Sequence, residues 1–130
     1  MRHYDSWLLS RTNKARTHRG RSKLSMNTKL WKVAHAYAEH LAKSGTLVHN
    51  PHLVTAVTKA CPHWTALGEN IGYEVGTKPS ALFQGYWHSP PHKANLLDRS
   101  YREAGVASVQ VKRGGHYVQW NVMDFANGCG

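Results

Sequence analysis

The sequence is short of acids, of cysteine and of long apolar runs, and each shortage excludes something. No stretch approaches the roughly 20 apolar residues of a membrane-spanning helix. Two cysteines in 130 residues cannot build a disulfide-rich framework. Recognisable machinery is missing too. There is no G-x-S-x-G nucleophile elbow, no phosphate-binding loop and no dinucleotide fingerprint. There is no zinc finger, RNA-recognition signature or basic zipper. No repeat, linker or low-complexity tract divides the chain. Residues 1–130 therefore read as one domain, long enough to bury a core without staples.

What is there is positive charge. Seven acids face 17 Lys and Arg, a net of +10, with ten histidines besides. The charge is uneven. Residues 1–43 hold ten Lys or Arg and two acids, a net of +8, and the rest hold seven and five, a net of +2. The densest run is Arg11, Lys14, Arg16, Arg19, Arg21 and Lys23, with no acid between them. It suits a polyanion: nucleic acid, anionic lipid or wall polymer. The run contains no aromatic residue, whereas single-strand binders interleave aromatics for base stacking. No specific nucleic-acid binding is expected, and the run reads as a solvated helix face and loop. The first residues, Met1 to Trp7, lack the apolar segment and cleavage site of a secretory signal. A processed mature form, a cytosolic protein and a protein exported by another route all fit that start.

Periodicity sketches the elements. Tyr4, Trp7, Leu8 and Ala15 mark a helix over 4–18, with Asp5 or Ser6 to cap it. Leu30, Val33, Ala34, Tyr37, Ala38, Leu41 and Ala42 mark the clearest helix, over 28–44, between Asn27 and Gly45 as caps. Residues 53–57 fit a short strand or a helical turn equally well. Gly68-Glu69-Asn70-Ile71-Gly72 reads as a glycine-flanked loop. A third helix is predicted over 79–88, stopped by Ser89-Pro90-Pro91. Val106–Val111 and Tyr117–Phe125, around Gly114-Gly115, predict a hairpin. The order predicts an α+β or layered sandwich fold.

Local chemistry is thin. His88 and His92 have the i, i+4 spacing of a helical zinc pair, but Pro90 and Pro91 forbid one helix from carrying both. His49 and His52 enclose Pro51, a turn. Cys61 lacks thiol-protease surroundings. Glu69 either carries a raised proton affinity in a charge-poor segment or caps nearby amides. Cys61 and Cys129 fit a disulfide in an exported protein or two thiols in a cytosolic one.

Longer motifs narrow these choices. Gly68-Glu69-Asn70-Ile71, and then Tyr86-Trp87-His88-Ser89-Pro90-Pro91-His92-Lys93-Ala94-Asn95-Leu96-Leu97, resemble the CAP superfamily. That superfamily groups cysteine-rich secretory proteins, antigen-five allergens and plant pathogenesis-related class 1 proteins. The likeness runs from Leu9, Asn13, Lys14, Ala15 and Arg16 through Leu30, Ala34, His35 and His49 to Gly105-Val106-Ala107 and Tyr117-Val118-Gln119. Its flavour is the short bacterial, actinobacterial-type form.

The resemblance implies a three-layer α-β-α sandwich with a central cleft lined by two histidines and acids, on which a divalent metal, often zinc, can sit. Carried over, His49 and His92 are the metal histidines and Glu69 is the Glu of the G-E-N motif. Ser89 stands where eukaryotic members place a second Glu, if Tyr86 stands for their Trp. His88 matches no site position of the family; its nearness to His92 in sequence places it at the cleft mouth. Asn70, Asn95, Asn13 and Arg16 are structural. Since the superfamily is mostly extracytoplasmic, the resemblance also implies a Cys61–Cys129 disulfide and a secreted or envelope-associated monomer. Two imidazoles leave a zinc shell incomplete, for Glu69, water or a ligand to fill. Three readings follow: a cleft that binds a metal and a ligand; a metal-assisted hydrolase or peptidase with Glu69 as general base; or a module for lipid, sterol or anionic envelope polymer.

Overall fold

A computed structural model describes all residues 1–130. The chain runs α1 (His3–His18), β1 (Ser25–Met26), α2 (Thr28–Ser44), α3 (Leu53–Ala60), β2 (Leu67–Val75), α4 (Pro79–Trp87), α5 (Pro90–Leu97), β3 (Glu103–Arg113) and β4 (His116–Ala126). The strands form one sheet in the order β1-β3-β4-β2. β3 and β4 make the expected hairpin, with Arg113 opposite His116 and positive φ at Gly114 and Gly115. Two successive positive-φ residues give the turn that matches strand twist, and glycine takes it without steric cost.

The layers follow from alternation along β4. Val118, Trp120 and Val122 point one way and pack with Ala34, Tyr37, Ala38 and Leu41 of α2. Met123 and Phe125 point the other way and pack with Leu8 of α1, Leu82, Phe83 and Tyr86 of α4, and Leu96 of α5. A smaller cluster joins Leu30 of α2 to Val57 and Ala60 of α3, Cys61 and Ala126. The result is the α-β-α sandwich expected. Cys61 and Cys129 are disulfide-bonded, closing a separation of 68 positions.

α2 matches its prediction: the Asn27 side chain accepts from Leu30 N–H, and Gly45 closes the helix at φ 66°. Three elements differ, and a fourth, left open between strand and helical turn, is decided. Arg2, not Asp5 or Ser6, holds the N-cap position of α1, and its side chain makes no capping bond. Asp5 instead turns inward and accepts bonds from the backbone and hydroxyl of Ser108. Residues 53–60 are helical, their apolar positions Leu53, Val57 and Ala60 falling three and four apart. Ser89-Pro90-Pro91 ends α4 as predicted but also starts α5, because proline fits the first turn of a helix as well as it ends one.

The third difference bears on the site. Gly68 to Gly72 is not a loop but the middle of β2, paired with β4 so that Glu69 lies opposite Asp124. These two glycines are needed for close approach, not for φ. A Cβ on Gly72 would stand 2.9 Å from the Tyr86 ring, and one on Gly68 would strike the Tyr101 hydroxyl. β2 lies at the edge of the sheet, and a cleft forms along it.

Candidate functional site at the edge strand

Three elements supply the cleft. Ile71, Gly72 and Tyr73 of β2 give its floor, Leu82, Gly85 and Tyr86 of α4 with Ser89 and His92 give one wall, and Leu47 gives the other, around about 210 Å³. The segment after α2 is held over the cleft by the Tyr37 hydroxyl, which donates to the Val48 carbonyl. His49 follows in that segment, its side chain 65% exposed.

Beneath His49 lies Glu69, whose side chain is 1% exposed. Its Oε1 takes the His49 Nδ1 at 3.0 Å and the Asn50 backbone N–H at 3.0 Å. Beyond it, on the same sheet face, is Asp124, fully buried on β4. Glu69 Oε2 and both Asp124 oxygens are buried with no conventional donor. Two ionised carboxylates are acceptors only and cannot satisfy one another. Burial first, then hydrogen bonding to Glu69 and its negative charge, hold the Asp124 carboxyl well above the usual carboxylate range. Asp124 is therefore the neutral partner, and its O–H donates to Glu69. Nothing in the sequence singled out Asp124. Its only signal is an acid inside an otherwise apolar strand, Val122-Met123-Asp124-Phe125.

With Glu69 holding Nδ1–H, the Nε2 of His49 is the ring's open donor atom, the arrangement carboxylates commonly impose on metal-binding histidines. Glu69 itself is buried, with Oε1 engaged by His49 and Asn50 and Oε2 turned inward beside Asp124, which suits an orienting group better than a base that meets substrate.

His92 enters from α5. Its Nδ1 lies 2.7 Å from Ser89 Oγ, and its ring stacks on Tyr86 with centroids 5.1 Å apart. Partial burial, then the neighbouring His49, lower its proton affinity, while a hydrogen bond to the Ile71 backbone raises it. So Ser89, in the position of the second Glu, contacts the metal-candidate imidazole directly. A net behind the site fixes this geometry. The Asn70 side chain donates to the His92 carbonyl, and Asn95 donates to the Glu69 carbonyl and to the Asn70 side chain. Tyr86 donates to the Asn121 side chain from below.

The fold thus brings His49, Glu69, Ser89 and His92 to one place and leaves His88 out. His88 caps α4 with its Nδ1 on the Gln84 carbonyl, and it lines a different groove with Trp87 and Lys93. It ends α4 while His92 begins the next helix, so their side chains diverge. The ligand atoms of His49, Glu69 and His92 do not converge as a three-ligand set. The one such grouping is Cys61, Glu103 and Cys129, whose sulfurs are consumed in the disulfide. Two imidazoles with a carboxylate behind one of them fit a divalent ion as a partial shell, to be completed by ligand or water.

A three-layer sandwich with a histidine-and-acid cleft at the edge of its sheet defines the class: a small scaffold domain presenting two imidazoles. The chain belongs to the CAP family, since residues 9–125 match the cysteine-rich secretory protein family. Solved structures agree at the level of fold. An outer surface protein of Borrelia burgdorferi superposes with a TM-score of 0.81 at 19% identity, covering 96% of this chain and 92% of that one. A cysteine-rich secretory protein of Staphylococcus aureus gives 0.74 at 22%, covering 95% of this chain and 38% of that one. An extracellular SCP-domain protein of Bacillus anthracis gives 0.72 at 20%, covering 95% and 40%. This chain spans about two fifths of those last two. No curated protein matches the sequence significantly.

Proposed function

We propose that this domain works outside the cytoplasm as a ligand-binding CAP domain, its cleft holding a divalent cation such as Zn2+ and an amphipathic ligand. One observation carries the reading: a buried carboxyl pair, Glu69 and Asp124, is spent on orienting an exposed imidazole, His49, beside a second imidazole, His92. Burying charge costs free energy, and such cost is typical of sites. The imidazoles supply the polar end of the cleft. Leu47, Tyr73 and Leu82 supply an apolar lining that suits a hydrocarbon group, including that of a lipid or sterol. When bound, the ion would polarise a ligand carbonyl or carboxylate.

The compartment rests on the disulfide, which reducing cytosol disfavours, and on relatives described as extracellular or outer-surface proteins. A metal-assisted hydrolase is the second reading. The observation favouring it is the Glu69–His49 pair itself: Glu69 orients the imidazole, and an ion held there would activate a water.

Zinc titration by calorimetry tests the proposal. The intact protein is expected to give a one-site isotherm, H49A/H92A none, and E69Q an affinity about 10- to 100-fold weaker. Equal heats from the intact protein and H49A/H92A would sink the shared site.

A further inference from the structure

Neither of the two histidine–carboxylate contacts in the protein, His35 with Glu39 and His49 with Glu69, involves Lys or Arg. All 17 Lys and Arg thus lack an acidic partner within 4.0 Å. On one face these free cations are also organised. Arg11, Lys14 and His18 of α1, with Arg19 at its C-cap, line a groove of about 280 Å³. Arg21, Trp87, His88 and Lys93 line a neighbouring one of about 530 Å³. Neither lining contains an acid.

The aromatic residues that the basic run lacks in sequence are supplied by α4. Phe83 and Trp87 stack with centroids 5.6 Å apart. The Arg11 guanidinium sits 4.6 Å from the Phe83 centroid, and Arg19 and the Lys93 ammonium sit 4.7 and 4.3 Å from that of Trp87. Arg21 is fixed by Nε donating to the Leu97 carbonyl at 2.9 Å. Three helices therefore hold cations in set positions with no anion present. Holding them so costs side-chain entropy before any ligand arrives, which lowers the cost of binding one.

We propose that this α1–α4–α5 face docks a phosphate-bearing anionic polymer of the cell envelope. Arg11 and Arg19 lie about 12 Å apart along the helix axis, a span for repeated anions rather than for one. Nucleic acid is the poorer occupant. Phe83 is 1% exposed and Trp87 already carries two cations, so no aromatic face is free for base stacking. The disulfide also favours an oxidising compartment. The surface is separate from the edge-strand cleft, so it can fail without the metal site failing.

Binding of a short poly(glycerol phosphate) across a salt series tests it, with thermal melts confirming that each variant is folded. R19Q/K93Q is expected to weaken binding about tenfold at low salt and to reduce the log–log salt slope by about one to two. R11Q/K14Q, which leaves Trp87 and its cations untouched, is expected to act in the same direction. K29Q/K32Q, on the lysine-lined groove between α2 and α3, is expected to stay within about twofold of the intact protein. Equal loss from K29Q/K32Q would reduce the effect to net charge and overturn the proposal. So would tighter binding of single-stranded DNA, lost in the same variants, which would assign the face to nucleic acid.

Discussion

Two buried ionic centres lie on opposite faces of the sheet, and they are finished differently. Arg16 of α1 is fully buried, and every one of its nitrogens donates. Nε meets the Ser22 carbonyl, Nη1 the Leu96 and Asp98 carbonyls, and Nη2 that of Tyr101, all within 3.2 Å. Burial lowers its proton affinity, yet the neutral carbonyls around it hold the charge and tie α1 to the end of α5. Glu69 Oε2 and both Asp124 oxygens have no donor beyond the proton the pair shares, and the pair reaches outward only through Glu69 Oε1, to the exposed His49 imidazole and the Asn50 N–H. A saturated centre builds structure. An unsaturated one is a cost the fold tolerates where chemistry is needed.

The largest test removes the saturated side. R16M keeps volume and strands four carbonyls, so denaturant unfolding should show a loss of about 3–5 kcal/mol. Zinc affinity of the folded fraction should not move. R16K should recover only part, because an ammonium cannot fork to four acceptors.

Asp5 sharpens the contrast, being buried and bonded yet pushed up to about 6, chiefly by burial. Its folded form holds the proton more tightly than the unfolded chain does. Its contribution is therefore complete below its unfolded pKa of 3.8 and is lost as pH rises through about 6. Between pH 4 and 7 the intact protein should lose about 2 kcal/mol relative to D5N. Parallel profiles for the two would show that Asp5 keeps its unfolded titration.

The smallest effect is expected at Asp124. Because Asp124 is the neutral member of its pair, the amide of D124N donates to Glu69 in its place, and stability at pH 7 should change by less than about 1 kcal/mol. A loss as large as that of R16M would show that Asp124 is ionised, and the contrast between the two centres would collapse.

These centres also mark how far the sequence could be read. α2 was legible because its signals are local: an apolar stripe, Asn27 before it and Gly45 after it. The hairpin was legible from its glycine pair. Glu69 stood out locally as an acid in a charge-poor, glycine-flanked segment, but its site role, like the structural role of Arg16, came only through the family resemblance, since their partners lie far along the chain. β2 was misread because Gly68 and Gly72 look like breakers until Tyr101 and Tyr86 are seen against them. α5 hid behind prolines that stop one helix and start the next. Asp124 had no local signature, as a buried carboxyl is recognised by its neighbour across the sheet. The aromatic floor under the basic run was hidden for the same reason: Arg19 and Trp87 meet only in the fold.

β2 pairs with β4 on one side and has no strand on the other. Amides pointing outward from an unpaired edge trade their protons for deuterium far faster than those locked in a ladder. The strand that carries Glu69 therefore keeps its own clock. In a deuterium-uptake experiment its outward amides should label early, while those of β3 and β4 label late. An occupant lying along the edge should slow those early sites first, so its position can be read residue by residue before its chemistry is known.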